Sequence, residues 1–145
     1  MKIPIVYGNS LGAPRHMATH SVVSDIFHLQ SRSIIDTGCP FTIITEPNLM
    51  RTRVPISRLD YTSSAWLGNM KLKLASLGIC KLNFIDTENK LVSFEQEVYA
   101  GKAELPDGNQ LINAFPNFIG LDFLRKHRLA VIPIDADGLP YLEQR

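Results

Sequence analysis

The chain has 145 residues, 45% of them hydrophobic, with 15 basic and 14 acidic side chains and a net charge of +1. That length suits a single domain, 1–145, with a real core. The balanced charge gives no support to nucleic-acid binding, which needs a basic excess, and no apolar stretch approaches a membrane span.

Lys2–Tyr7 reads as a strand, and Pro4 marks it as an edge or first strand. The N-terminal segment lacks the continuous apolar run of a secretory signal, so a cytoplasmic protein is expected. Gly8–Arg15 reads as a loop, and its glycines lack the Gly-Lys-Ser/Thr of a phosphate loop. His16 and His20 stand at i and i+4, but no Glu follows His16 and no third ligand is at hand. They read as polar residues of a loop or strand, and no metal is expected. Ser21–Leu29 is partly alternating and rich in strand formers. It is expected to pair across a turn near Gln30–Arg32 with a strand over Arg32–Asp36.

The stretch Ser33-Ile34-Ile35-Asp36-Thr37-Gly38-Cys39-Pro40-Phe41-Thr42-Ile43-Ile44-Thr45 is the most informative. Its β-branched pairs suit buried strands on either side of a tight turn. Gly38 permits the sharp bend and Pro40 ends the pairing. Thr37 offers a hydroxyl that can donate and accept. Asp36 is thereby delivered between two buried strands, where a carboxylate is costly unless something pairs or uses it. A turn Asp bonded to its own loop is the bland alternative. Cys39 invites a nucleophilic or redox reading, against which stands a small buried hydrophobe. With Cys80 it makes too small a set for a disulfide framework or zinc site, leaving a single bridge open.

Phe41–Thr45 is the exit strand. Thr45-Glu46-Pro47-Asn48 looks like a helix start, with Thr45 as N-cap and an end near Arg51. Thr52–Asp60 reads as loop. Tyr61–Asn69 is a polar, small-residue stretch carrying the sole tryptophan, Trp66. Met70–Ala75 and Leu77–Ile85 alternate as strands, a turn follows at Asp86–Lys90, and Leu91–Tyr99 alternates again. Asp86-Thr87-Glu88 echoes the earlier tripeptide, but Glu replaces Gly and the setting is a hairpin tip. Gly101–Gln110 reads as a polar loop and Leu111–Phe115 as a short strand. Phe118-Ile119-Gly120 leads into a short helix. Asp122 lies in its first turn and Arg125, Lys126 and His127 in its last, as the helix dipole favours. Arg128–Ile134 is a final strand, and Asp137-Gly138 opens the tail. About eight short strands with one or two short helices make a mainly β domain that closes on itself.

Ile34-Ile35-Asp36-Thr37-Gly38 resembles the active-site signature of aspartic proteases. Phe118-Ile119-Gly120-Leu121-Asp122-Phe123-Leu124 resembles the second signature of the same superfamily. Their order and spacing are similar to the retropepsin-like (retroviral-type) single-domain proteases, over most of the chain. That resemblance implies a closed acid-protease barrel and a homodimer, since only one Asp-Thr-Gly is present. It implies an aspartic endopeptidase with no cofactor, acting on a peptide or protein substrate through Asp36 from each subunit. Thr37 and Gly38 would support the loop, Gly120 would be structural, and Asp122 a helix cap. The substrate-covering flap would lie around Thr62–Gly68, with Trp66, Leu67 and Gly68 against the substrate. The stretch departs from the family's glycine-rich flaps, and Cys39-Pro40 replaces the usual small residue. Two rivals remain: a catalytically silent dimerisation or peptide-binding module of the same fold, and an unrelated β-barrel with a chance Asp-Thr-Gly.

Overall fold

The computed structural model describes residues 1–67, 70–104, 116–134 and 138–145. The strands are β1 (Lys2–Pro4), β2 (Val6–Ser10), β3 (Ala13–Val23), β4 (His28–Ile35) and β5 (Ile43–Thr45). After helix α1 (Glu46–Leu49) and a 3-10 turn at Ile56–Arg58 come β6 (Ser63–Leu67), β7 (Met70–Ile85) and β8 (Leu91–Glu104). Then follow β9 (Asn117–Ile119), α2 (Leu121–Lys126), β10 (Leu129–Ile132) and β11 (Tyr141–Gln144). The expected strand at Leu111–Phe115 lies outside the described residues.

The main sheet has the order β2-β3-β4-β9-β5-β8-β7-β6, and β3 pairs a second time with β7. There Ser21, Val22 and Val23 oppose Asn83, Leu82 and Lys81, so the pairing returns to a strand it already contains. A smaller sheet, β1-β11-β10, brings the two ends of the chain together. Two cores result. One gathers Val22, Leu82, Phe84, Phe94, Phe123 and Leu142. In it the rings of Phe84, Phe94 and Phe123 lie 5.3–5.9 Å apart by centroid, in tilted and edge-on contacts, geometries that stabilise aromatic pairs beyond simple burial. The other lies under the β6–β7 hairpin and includes Ile34, Cys39, Ile43, Leu72, Leu74 and Phe118.

Several boundaries differ from expectation. Gly8–Arg15 is the tip of the β2–β3 hairpin, closed by Leu11 and Gly12 at φ 52° and 74°. Those are the left-handed angles that a tight hairpin turn demands, and Leu is an unusual residue to supply one. The next hairpin turns at Ser24–Phe27 and not at Gln30–Arg32. Ser24 Oγ accepts the amides of Ile26 and Phe27, and its own amide donates to the Phe27 carbonyl. A serine making a turn with its hydroxyl leaves little trace in an apolar alternation. Met70–Ile85 is one strand with a bulge between Ser76 and Ile79, where Gly78 takes φ 78°. β8 runs on to Glu104, into the region expected to be loop. β11 was not anticipated; it pairs with β10 just before it and with β1 at the other end of the chain. At Asp86–Lys90 the Asp86 carboxylate accepts the amides of Glu88 and Lys90, making a hairpin tip as read.

Candidate active site

β4 delivers Asp36 because β9 is wedged beside it. Ser33, Ile34 and Ile35 run parallel to Asn117, Phe118 and Ile119, and Ile43 of β5 lies antiparallel to Phe118 on the other side. The incoming and outgoing strands are thus held apart by β9, and the Asp36 turn bridges them. The Asp36 amide donates to the Ile119 carbonyl at 3.0 Å, and the Cys39 amide closes the turn on the Asp36 carbonyl at 3.2 Å. One carboxylate oxygen, Oδ1, accepts the Gly38 amide at 2.8 Å. The carboxyl group is half-buried, and Thr37 and Gly38 are exposed beside it. Within one chain the Thr37 hydroxyl has no partner among the described residues. It borders a largely apolar groove formed with Leu121, Leu124, Leu129 and Val131 and lined also by Arg125, Arg128 and Arg145.

What fixes the turn is backbone contact with Gly120. The Leu121 amide donates to the Cys39 carbonyl at 2.8 Å. A Cβ on Gly120 would overlap the Phe41 carbonyl and stand 2.8 Å from the Cys39 oxygen. Gly120 has ordinary extended angles, so closeness and not conformation requires it. Asp122 adds a second tie. Its carboxylate accepts the Thr42 amide (3.1 Å), the Thr42 hydroxyl (2.8 Å), the Gln96 side-chain amide (3.1 Å) and the Phe123 amide (2.7 Å). Thr42 Oγ1 accepts in turn from the Gly120 amide at 3.2 Å. Asp122 therefore lies in the first turn of α2, as expected, but the N-cap is Gly120 and not Asp122; its carboxylate instead clamps the exit strand to α2.

Cys39 is buried, and its thiol donates to the Phe41 carbonyl at 3.2 Å. Burial pushes the thiol up to about 11, with a hydrogen bond from the Phe41 backbone pulling the other way and Asp36 and Asp122 adding to the rise. A thiol so protonated is a poor nucleophile, which supports the packing reading. Cys39 and Cys80 are both free.

Behind the turn runs a buried polar chain that sequence reasoning missed. Asn117 Nδ2 donates to Ser31 Oγ at 2.7 Å, Ser31 and Ser33 are 3.0 Å apart, and Ser33 Oγ lies 2.6 Å from His20 Nε2. Asn117 Oδ1 takes the Thr45 amide and the Asn48 side chain, both at 2.9 Å. The Thr45 hydroxyl goes there too and does not cap α1, as expected of it. His20 Nδ1 faces the Ser21 carbonyl at 3.3 Å, so this nitrogen carries the proton and Nε2 accepts from Ser33.

Burial lowers the His20 imidazole to about 4, against a smaller rise from the Ser21 carbonyl. The folded state refuses a proton that an unfolded chain takes near pH 6.5. Its stabilising effect is complete above that pH and fades as pH falls toward 4, by roughly 3 kcal/mol in total. Urea unfolding of the wild type should lose stability across this window, and His20→Gln should flatten the loss. Equal slopes would remove His20 from the acid response.

The β6–β7 hairpin stands over the second core. Ala65 and Leu72 oppose each other and are buried, whereas Trp66 opposes Lys71 and is 61% exposed. Successive strand residues face opposite ways. Leu67, paired with Met70, therefore lies on the side that packs toward Cys39 and Phe118, and Trp66 on the other. Gly68 falls outside the described residues.

No family model and no curated protein sequence matches the chain. The structure is similar to a crystal structure of a retropepsin-like aspartic protease from Rickettsia conorii. The two share 16% identity, with a TM-score of 0.52, over 98% of this chain and 88% of that one. It also matches the retroviral protease-like domain of Ddi1 from Leishmania major at 15% identity and a TM-score of 0.43, over 89% of this chain and 96% of that one. The fold is mainly β and retropepsin-like.

Proposed function

We propose that the chain is an aspartic endopeptidase that works as a homodimer, with Asp36 from each subunit meeting at a two-fold axis. The observation that carries the reading is the Asp36 turn. A half-buried carboxylate, held by the Gly38 amide, sits on a loop locked from below by Gly120 and Asp122.

Two carboxyl groups held in contact cannot both ionise readily, so the pair shares a proton. The ionised member takes a proton from a water between them, and that water attacks the peptide carbonyl. The protonated member donates to the carbonyl oxygen. A single Asp36 lacks this division of labour, and the monomer is inactive. The exposed Thr37 and the largely apolar groove along α2 and β10 support the dimer, because both need covering beside the turn. The second pairing of β3 with β7 supports a closed barrel for the main sheet. The β6–β7 hairpin is the flap, with Leu67 on its inner side. Substrates are extended peptides with apolar residues about the cut, paired in part as a strand.

Incubating the protein with a mixed peptide library in isotopically heavy water tests this. Cleavage should put the heavy oxygen directly into each new carboxyl end, with no acylated protein at any time. A covalent adduct, or no cleavage by a dimer, would overturn it.

A further inference from the structure

The outer face of β6, β7 and β8 is not used by the site above. Ser64, Lys73 and Lys102 form one cross-strand row, and Trp66, Lys71 and Glu104 the next. Lys71, Lys73 and Lys102 converge on a depression of about 370 Å³ that is also walled by Tyr61, Thr62, Ser63 and Ser64. Like charges placed directly opposite each other, as Lys73 and Lys102 are, weaken a strand pair. A chain of net charge +1 has no general excess of cations to scatter here.

We infer that this depression docks an acidic segment of a polypeptide, carried by the protein substrate outside the stretch that is cut. The identity of the partner as substrate rests on the proteolytic reading; the binding itself does not. Ammonium groups are compact charges with rotatable donors and meet separate carboxylates one at a time. The hydroxyls of Thr62, Ser63 and Ser64 add neutral donors to the same hollow. Exposed Trp66, directly opposite Lys71, offers an adjoining apolar platform of the kind found at docking surfaces. A nucleic acid would need a longer basic tract.

The test is titration of Asp36→Asn protein, which cannot turn substrate over, with labelled hexaglutamate, hexaserine and a single-stranded oligonucleotide. Anisotropy reads binding, and fluorescence of Trp66, the sole tryptophan, reads place. Hexaglutamate should bind saturably, weaken with added salt and perturb Trp66; hexaserine should not bind. Reversing Lys71, Lys73 and Lys102 to Glu should weaken binding by about tenfold or more. Neutralising them to Gln keeps the test valid should the reversal unfold the protein. In the active enzyme, an acidic tail on a cleaved peptide should lower KM severalfold and leave kcat alone, and Lys-to-Gln variants should erase that gain. Absent hexaglutamate binding, equal affinity in the variants, or tighter binding of the oligonucleotide overturns the inference. Hexaglutamate bound by a chain that cleaves nothing keeps the dock and removes the proteolytic reading.

Discussion

Asp36→Asn is expected to lower kcat by about 10³-fold or more while leaving the melting temperature within a degree or two of wild type. The side chains are nearly the same shape, and Asn keeps an oxygen for the Gly38 amide, which now bonds Asp36 Oδ1 at 2.8 Å. The turn therefore survives. The amide can neither take a proton from water nor share one with its twin, so both roles fail together. Undiminished cleavage by pure Asp36→Asn protein would place the chemistry elsewhere. A variant that unfolds would show Asp36 to be mainly a turn residue, the bland reading of an Asp before a glycine.

Gly120→Ala is expected to be the most damaging conservative change outside the carboxylate. The added methyl meets backbone: the carbonyls of Phe41 and Cys39, on the loop that ends the Asp36 turn. Backbone there cannot step aside without losing the bond from the Leu121 amide to the Cys39 carbonyl and that from the Gly120 amide to Thr42 Oγ1. Overpacking of this kind costs about 3 kcal/mol, near 10 °C in melting temperature for a domain of this size. Cleavage should fall further than stability, because the displaced loop carries Asp36 with it. A wild-type melting curve would mean that the loop gives way easily. Gly101 is a second close approach: a methyl there meets the buried, β-branched side chain of Ile43 at 2.5 Å.

Much of this site was legible because short-range rules act on it. Paired β-branched residues, a glycine and a proline place Asp36 on a turn between buried strands, and the structure does so. Gly120 was legible as structural only through its place in a second signature; the contact that requires it joins residues far apart in sequence. The same limit hid the rest. Asp122 reads as a helix-start carboxylate, and nothing local shows that Thr42 and Gln96 come to it. His20, Ser31, Ser33 and Asn117 look like surface polar residues until the sheet stacks them into one buried chain. Alternation located the strands but not their ends. Ser24 turns the chain with its hydroxyl, Leu11 adopts a left-handed angle, and β11 is held by partners at both ends of the chain. Trp66 shows a different limit. An aromatic in a stretch read as a flap suggests substrate contact, and only the pairing with Lys71 shows that it lies on the face opposite Leu67.

The most direct measurement of the shared site is a mixing experiment. Wild-type and Asp36→Asn subunits are exchanged at fixed total concentration, and peptide cleavage is followed as the wild-type fraction is varied. If each site needs Asp36 from both subunits, mixed dimers are dead and activity follows the square of that fraction, about one quarter at an equal mixture. Activity that falls in simple proportion, to about one half, would mean that each chain carries a complete site and that the paired-aspartate mechanism is wrong.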